Sequence, residues 1–411
     1  MAIIKPLRGY RPPAELAYKV TSPPYDVMSS DEARILVQNN QESFLRVIKP
    51  EIDFSPDNEP EGHELHSHSR KNLLDFINNG LLIQDENYCI YVYQISMGEH
   101  TQTGIMAAVS VEEYNNCLIK KHEFTRPDKE NDRTQHIEIN NANTGPVFLT
   151  YRNDGKLKNA LLEIVNSHPE ISFMANDTTF HTLWKVENKM QIERLTDYFQ
   201  AVSTLYIADG HHRAASASRV QKLRENDNTN HTGEEPYNYF LSVIFPHDEM
   251  QILDYNRVIL DLNNLTDEQF IKLIKSNFSL TRLSDLPNSD AKKSITMYLN
   301  NIWYQLEAKD HIKPNNPVEK LDASILQNHL LEPILGIDDP RTNKRIDFVG
   351  GIRGRDELER RCQTDCTVAF ALPPVSIEQL LSVADSGMVM PPKSTWFEPK
   401  LRSGMVVRML S

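Results

Sequence analysis

The strongest indication of fold in this sequence is the segment Thr204-Leu205-Tyr206-Ile207-Ala208-Asp209-Gly210-His211-His212-Arg213. Its first half is a short β-branched and aromatic run, which predicts a buried strand. The residues that follow, rich in alanine and then in long polar side chains, predict a helix over 211–225. The Asp-Gly pair lies between the two. The segment therefore predicts a strand, a tight turn and the N-terminus of a helix.

This turn has the chemistry of a phosphate site. The first amides of a helix have no partner within the helix and its N-terminus carries partial positive charge, so an anion is stabilised there. Gly210 lets the backbone approach the anion, and the Arg213 guanidinium can donate hydrogen bonds to two of its oxygens. Asp209 could hold a magnesium ion against the phosphate. The alternative is an ordinary Asp-Gly turn in which His211 and His212 are surface residues.

Length and composition bound the architecture and the partners. A chain of 411 residues predicts more than one domain, because single cores stop growing near ~250–300 residues. The net charge of −13, from 57 acidic and 44 basic residues, disfavours non-specific nucleic-acid binding. Neither a membrane span nor a signal peptide is indicated by the apolar pattern, so we predict a cytoplasmic protein. Four cysteines are too few for a disulfide framework.

Strand and helix patterns alternate along the chain and predict an α+β fold with a mixed sheet. The strands are predicted at 88–95, 103–111, 147–151, 183–186, 205–208, 239–246 and 251–260. Helices are predicted at 156–166, 191–202, 211–225, 267–277 and 324–331. The character of the sequence changes near residue 260. We predict an N-terminal α/β region at 1–115, a core at 116–260 and a C-terminal α+β domain at 261–411.

Two proline-containing segments near the start, 8–13 and 22–27, are unlike helices. Paired prolines fix an extended path. These segments could present Arg8, Arg11 and Asp26 rigidly to a pocket, or they could form an arm on the surface.

The segment 120–133 is dense in charge. Glu123 lies among lysine and arginine residues, which favour its ionised form, so it could take a proton from a substrate hydroxyl. Arg133 would then be available for phosphate. A solvated loop followed by a helix start explains the same pattern equally well.

A second segment of interest, 390–400, lies near the C-terminus. Pro391 and Pro392 stiffen a loop that carries a lysine, two hydroxyls and an aromatic side chain, which suits a small anionic or zwitterionic ligand. These four residues are Lys393, Ser394, Thr395 and Trp396. The alternative is a surface loop with an exposed lysine.

Together, the segment around Glu123, the 209–213 turn and the 392–395 loop resemble the ParB/sulfiredoxin superfamily, and more closely its free L-serine kinases. Sulfiredoxin has a cysteine at the position of His211, so this chain lacks that reductase's thiol. The first hundred residues resemble only an uncharacterised bacterial branch related to these kinases. The resemblance implies a ParB/sulfiredoxin-like nucleotide-binding core within 116–260, with additional N- and C-terminal α/β elements.

The resemblance also implies an activity and a set of roles. The activity is phosphorylation of free L-serine by ATP or ADP, with Mg²⁺, to give O-phospho-L-serine. Glu123 would be the general base, with Asp209 as metal ligand and Asp209 and His211 as catalytic residues. Nucleotide and phosphate would be bound by Gly210, His211, His212, Arg213 and Arg133, and serine or the transferred phosphate by Lys393, Ser394, Thr395 and Trp396. The kinases are shorter than this chain, and Trp396 makes the loop more aromatic than expected.

Two other functions are compatible with the same motifs. One is a ParB-like nucleotide switch without phosphoryl transfer to a metabolite, although no helix-turn-helix or basic face is evident. The other is a nucleotide hydrolase, for which the 392–395 loop would have no obvious task.

Overall fold

The computed structural model describes residues 2–283, 294–312 and 314–411. The chain divides into two compact units. The first comprises Met1–Lys121, Thr125–Met250 and Pro399–Ser411, and the second comprises His122–Phe124 and Gln251–Glu398. The three predicted regions stay a prediction about domain organisation.

Helices are distributed over both units. Their bounds are α1 Ala17–Val20, α2 Ser30–Val37, α3 Leu45–Ile48, α4 Gly62–Asn78, α5 Val111–Asn115, α6 Pro127–Asn140, α7 Lys156–Val165, α8 Lys189–Ala201, α9 His211–Asp227, α10 Asp267–Asn277, α11 Asp322–Leu326, α12 Gly354–Thr364 and α13 Ile377–Asp385. Across the part of the chain that the structure describes, no helix is both long enough and apolar enough to span a membrane.

Strands form the centre of each unit. They are β1 Ile4–Lys5, β2 Tyr10–Arg11, β3 Ile83–Gln84, β4 Ile90–Met97, β5 His100–Ser110, β6 Ile119–Lys120, β7 Ala142–Asn143, β8 Val147–Tyr151, β9 Ile171–Met174, β10 Phe180–Val186, β11 Leu205–Asp209, β12 Tyr239–Pro246, β13 Gln251–Leu253, β14 Tyr255–Ile259, β15 Phe278–Arg282, β16 Ile295–Leu299, β17 Ile302–Ala308, β18 Ile346–Gly350, β19 Val368–Ala371, β20 Trp396–Glu398 and β21 Arg408–Met409.

The first unit is built on a mixed sheet with strand order β6-β11-β8-β12-β5-β4-β10-β9, and β1 also pairs with β5. The pairs β6/β11 and β8/β12 are parallel, and the other pairs are antiparallel. The strands predicted at 88–95 and 103–111 correspond to β4 and β5, which form an antiparallel pair joined through Gly98. Apolar residues of the sheet pack against α7, α8 and α9 to form the main core. The predicted mixed α+β fold is confirmed.

A second core in the first unit lies beneath the N-terminal helices. Phe44, Leu45 and Phe76 are buried in it. The helix α2 begins at a serine cap, in which the Ser29 hydroxyl accepts from the Glu32 amide while the Glu32 carboxylate accepts from the Ser29 amide. This reciprocal pairing satisfies two amides that the helix cannot bond itself.

The second unit contains an antiparallel sheet of order β15-β17-β16-β19-β14-β18 and a separate ribbon of β13 and β20. The single strand predicted at 251–260 is wrong in one respect, since it is interrupted at Asp254. Residues 251–253 pair with β20, whereas residues 255–259 pair with β18 and β19, so the predicted strand is divided between two sheets. The helix predicted at 324–331 begins at Asp322, and its second half is a π-helix, Gln327–Leu331.

Candidate functional site

The predicted strand, turn and helix are confirmed in the first unit. β11 ends at Asp209, Gly210 caps the helix, and α9 begins at His211. Gly210 has φ +88°, a left-handed conformation that favours glycine. A Cβ atom at this position would lie 3.5 Å from Val147, an ordinary contact. The backbone angle, rather than lack of space, therefore requires glycine here.

The start of α9 is held against α6 by small side chains. Five consecutive residues of α9, 214–218, are buried alanines and serines. Ser216 Oγ donates to the Glu130 carbonyl of α6 at 3.1 Å. Small residues let the two backbones approach closely, so the N-terminus of α9 has a fixed position in this unit.

Asp209 is ionised and already paired with a cation. Its Oδ2 lies 3.0 Å from Lys400 Nζ, and its Oδ1 accepts from the Gly210 amide at 2.7 Å. Burial opposes ionisation, but the charge and hydrogen bond of Lys400 outweigh it and lower the pKa of Asp209 to about 2. A lysine ammonium thus neutralises this carboxylate, and the magnesium role of Asp209 stays a prediction.

The two histidines of the turn are not exposed surface residues. His211 is buried, and His212 is half-buried. His212 Nε2 accepts from the Arg126 amide at 3.0 Å. This bond requires the His212 proton to be on Nδ1 when the ring is neutral.

Arg133 and Arg213, predicted from separate segments to bind phosphate, converge on the ring of Tyr25. The guanidinium carbons lie 4.3 Å and 5.2 Å from the ring centroid, respectively. Within the described residues, Arg213 has no carboxylate oxygen within 4.0 Å. Two guanidiniums thus face one aromatic ring near a helix N-terminus, which makes this part of the first unit electropositive.

Arg133 is positioned by Asp132, which in turn contacts His66. Its Nε and Nη2 atoms donate to Asp132 Oδ2 at 2.8 Å and 2.6 Å, and Asp132 Oδ1 lies 3.2 Å from His66 Nε2. Burial opposes ionisation of Asp132, but the hydrogen bond with His66 and the charge of Arg133 lower its pKa. Burial, together with the charge of Arg133, holds the pKa of His136 well below its ordinary value, so this neighbouring ring stays neutral.

Both arginines line a small cleft that is partly open to solvent. It is lined by Arg133, His136, Ile137, Asn143, Thr144, Gly145, Val147, Arg213, Phe240 and Leu241. A Cβ atom on Gly145 would stand 2.8 Å from Arg213 Cζ. The absence of a side chain at Gly145 therefore makes room for the Arg213 guanidinium.

In the second unit, the segment around Glu123 meets the loop near residue 390. Glu123 is half-buried. The carbonyl of its neighbour His122 accepts from the Met390 amide at 2.8 Å, and His122 Nε2 lies 3.4 Å from Thr395 Oγ1. Two predicted segments that are far apart in sequence are thus brought together within this unit.

The predicted substrate loop is ordered by internal contacts. Lys393 is exposed, adopts a left-handed φ of +56°, and places its ammonium 5.6 Å from the Tyr255 ring. Ser394 is buried and donates its hydroxyl hydrogen to the Pro391 carbonyl at 2.7 Å. Trp396 Nε1 donates to Glu398 Oε1 at 2.7 Å. A left-handed lysine is an uncommon conformation and one that often marks a functional loop.

Comparison with known proteins gives a family. The family described as "Protein of unknown function (DUF1015)" matches residues 4–324, more than three quarters of the chain. The chain belongs to the DUF1015 family. No match to a curated protein was found for this DUF1015 member.

Several solved structures show a distant similarity to this DUF1015 member. A free serine kinase mutant in complex with AMP has 12% identity and a TM-score of 0.38, covering 72% of this chain and 87% of the other. SbnI with a C-terminal truncation, from Staphylococcus aureus, has 12% identity and a TM-score of 0.39, covering 74% and 87%. A conserved hypothetical protein from Pyrococcus furiosus has 12% identity and a TM-score of 0.37, covering 73% and 93%. The family assignment itself rests on the match over residues 4–324.

Sequence reasoning missed several residues of the site in this DUF1015 member. The proline-rich segment 22–27 was singled out for Asp26, but Tyr25 is the residue that faces the two arginines. Arg11, singled out in the same way, is instead buried in an ion pair with Asp85. Lys400, the partner of Asp209, lies 191 residues away from it in sequence, so no local pattern connects the two.

Proposed function

We propose that this protein is a kinase that transfers a phosphoryl group from ATP or ADP to the hydroxyl of free L-serine, forming O-phospho-L-serine. The observation that carries the proposal is the convergence of Arg133 and Arg213 on Tyr25, in the unit where Gly210 opens α9. The choice of serine as acceptor comes from the sequence resemblance.

Phosphoryl transfer depends on positioning and on neutralising the oxygens of the phosphates, and the first unit offers groups for both. Arg213 has donors that are not engaged by any carboxylate within the described residues, so it can bind two phosphate oxygens. Arg133 is held in a fixed position by Asp132 and would orient the ligand beside Arg213. The amides of His211 and His212 lie at the helix start, where an anion is stabilised. Bound Mg²⁺ would supply further neutralisation, with Asp209 as its protein ligand.

The proposed chemistry on the acceptor uses the second unit. The Glu123 carboxylate takes the proton of the serine hydroxyl as that oxygen bonds to the terminal phosphorus. The bond from this phosphorus to its bridging oxygen breaks, and ADP leaves from ATP or AMP leaves from ADP. Lys393, Thr395 and Trp396 are proposed to contact serine. Ser394 already donates its hydrogen to Pro391, so it would act as an acceptor, for example for the serine ammonium.

The experiment that tests the proposal is a product assay on the full chain. The protein is incubated with Mg²⁺, with ATP or ADP, and with free serine, threonine or homoserine, and the products are read by mass spectrometry. O-Phospho-L-serine formed with one donor is the expected result. Nucleotide hydrolysis independent of any amino acid would instead favour a hydrolase, and nucleotide binding without either product would favour a switch.

The role of Glu123 has a matched pair of variants. Glu123→Gln should abolish product formation while nucleotide binding is retained, because only the proton acceptor is lost. Glu163→Gln removes the same charge from an exposed position on α7, where Glu163 pairs with Arg194, and should leave turnover unchanged. Normal turnover in Glu123→Gln would overturn the role assigned to Glu123.

A further inference from the structure

The second unit contains a cleft that the assigned roles do not fully use. It is a small cleft that is partly open to solvent. Its polar lining consists of Tyr255, Arg257, Asp322, Gln379 and Ser394, and the rest is formed by leucine, alanine, proline and valine residues. Of these polar residues, only Ser394 belongs to the predicted substrate loop.

Arg257 carries a buried positive charge without a counter-charge. Its side chain lies in β14 and the residue is 4% exposed. Its guanidinium donates to the Tyr255 carbonyl and, at 3.5 Å, to the Pro392 carbonyl. No carboxylate oxygen of the described residues lies within 4.0 Å of it. Buried charges in proteins are normally paired, and a guanidinium has five donors, so Arg257 has donor capacity left for an anion.

Asp322 places the opposite charge in the same cleft. It is the first residue of α11, and among the described residues no lysine, arginine or histidine nitrogen lies within 4.0 Å of its carboxylate. Burial raises the pKa of Asp322 to about 6. Arg257 and Asp322 therefore do not form an ion pair with each other, although they line one small cleft.

We propose that this cleft binds a small α-amino acid as its zwitterion, with the ligand carboxylate on Arg257 and the ligand ammonium on Asp322. Such a ligand carries both missing counter-charges in one molecule, and a guanidinium matches a carboxylate with two parallel hydrogen bonds. Ser394 and Gln379 add neutral polar contacts. The inference names the acceptor pocket of the proposed kinase, and it rests on that proposal only for the identity of the amino acid as serine.

The test is calorimetric titration of the full chain in the presence of nucleotide, which measures binding without requiring turnover. L-Serine is compared with ethanolamine, which lacks the carboxylate, and with 3-hydroxypropanoate, which lacks the ammonium. We expect each analogue to bind at least 10-fold more weakly than L-serine. Equal binding of either analogue would overturn the assignment, because one of the two charged contacts would then be absent.

Variants assign the contacts to residues. Asp322→Asn keeps the shape of the side chain and should weaken L-serine binding at least 10-fold, whereas Asp356→Asn, at an exposed position in α12, should not. Arg257→Gln should also weaken L-serine binding at least 10-fold, because the contact with the ligand carboxylate is lost. Arg341→Gln is the exposed control and should leave binding unchanged. Should Arg257→Gln fail to fold, Asp322→Asn and the analogue series still decide the question.

The pH dependence of L-serine binding provides an independent test of the role of Asp322. The titratable side chains that line the cleft are Tyr255, Arg257 and Asp322, and burial raises the pKa of Asp322 to about 6. L-Serine binding should weaken as pH falls through about 6 in the unmodified protein, and it should lose this dependence in Asp322→Asn. The same pH dependence in both proteins would contradict the role of Asp322.

The outcomes separate this inference from the proposed kinase. Formation of O-phospho-L-serine with full activity in Asp322→Asn and Arg257→Gln would overturn the cleft and leave the kinase standing. Binding of L-serine that requires both charges, with no phosphorylated product from any donor, would uphold the cleft and overturn the kinase.

Discussion

Arg133 in the first unit and Arg257 in the second are both largely buried, with the Arg133 side chain 12% exposed and the Arg257 residue 4% exposed. They differ in their partners. Arg133 is held by the Asp132 carboxylate, whereas Arg257 donates to two backbone carbonyls and lies over the Phe348 ring, with no carboxylate among the described residues within 4.0 Å. Burial works against both charges, but Tyr25 and Asp132 outweigh it and raise the pKa of Arg133, while burial lowers the pKa of Arg257 to about 10.

The difference shows two ways of keeping an arginine inside a protein. A guanidinium with its own carboxylate has a fixed position and a charge that is already compensated, so it can orient a neighbour or a ligand. A guanidinium without a carboxylate partner has donors and a positive charge that can bind an anion. In the first unit this second kind of arginine is Arg213, which lies beside the compensated Arg133 on Tyr25.

The largest effect is expected from the uncompensated arginine of the first unit. Arg213→Gln should lower kcat/KM for serine phosphorylation by about 100–1000-fold, or ~2.7–4 kcal/mol, because a donor to the charge that develops in the transition state is lost. Steady-state kinetics measures the change. Arg194→Gln removes an exposed arginine of α8 and should stay within about twofold of the unmodified protein. Equal losses in both variants would contradict a specific role for Arg213.

The two buried arginines, Arg133 and Arg257, should also differ in how much their charges contribute to the unfolding free energy. Asp132→Asn leaves Arg133 without its carboxylate and should cost about 1–3 kcal/mol of unfolding free energy, less than a fully buried pair because the Asp132 side chain is 40% exposed. Arg257→Met removes a buried charge that has no carboxylate among the described residues within 4.0 Å, and it should change stability by less than about 1 kcal/mol or increase it. Urea denaturation measures both.

A surface pair provides the control for this comparison. Asp128→Asn breaks the exposed pair with Arg126 and should change the unfolding free energy by less than about 1 kcal/mol. A loss in Arg257→Met as large as that in Asp132→Asn would show that Arg257 is held by partners as strongly as Arg133 is.

The two units should also differ in the sign with which one titrating group in each changes stability with pH. The pKa of His136 is lowered by burial, so between pH 4 and 6 the unfolded chain binds a proton that the folded protein does not, and stability rises with pH. The pKa of Asp322 is raised to about 6, so over the same range the folded protein holds the extra proton and stability falls with pH. Each group contributes a slope of up to about 1.4 kcal/mol per pH unit.

These slopes are measured from the urea denaturation midpoints of two variants and of the unmodified protein at pH 4, 5 and 6. His136→Gln should make the increase of stability with pH shallower, and Asp322→Asn should make it steeper. Slopes that change in the same direction in both variants would contradict the opposite signs assigned to the two groups.

The part of the fold that sequence predicted well depends on neighbours in the chain. The strand, the Gly210 turn and α9 follow from local pattern and from one residue whose backbone angle only glycine adopts easily. The break at Asp254 was missed because the two halves of the segment pair with different strands, all of them far away in sequence. Propensity over a few residues contains no information about such pairing.

The candidate site shows the same limit. Arg133 and Arg213 were selected by residue type and by their nearness to charged motifs, but their common contact with Tyr25 depends on how three distant segments pack. Arg257 was missed altogether, because its sequence neighbours in β14 form an unremarkable strand. What distinguishes Arg257 is burial without a carboxylate, and this property exists only in the folded protein.

The smallest effect concerns the space that Gly145 leaves for Arg213. In Gly145→Ala, the new methyl group would stand 2.8 Å from Arg213 Cζ, and the flexible end of the arginine can move away. We therefore expect little change in stability, but a loss of about 5–10-fold in nucleotide affinity, or ~1–1.4 kcal/mol, measured by calorimetry with ADP. Combining Gly145→Ala with Arg213→Gln completes a double-mutant cycle. If Gly145 acts through the guanidinium, its effect should disappear in the Arg213→Gln background, whereas additive losses would mean that Gly145 contacts the nucleotide by another route.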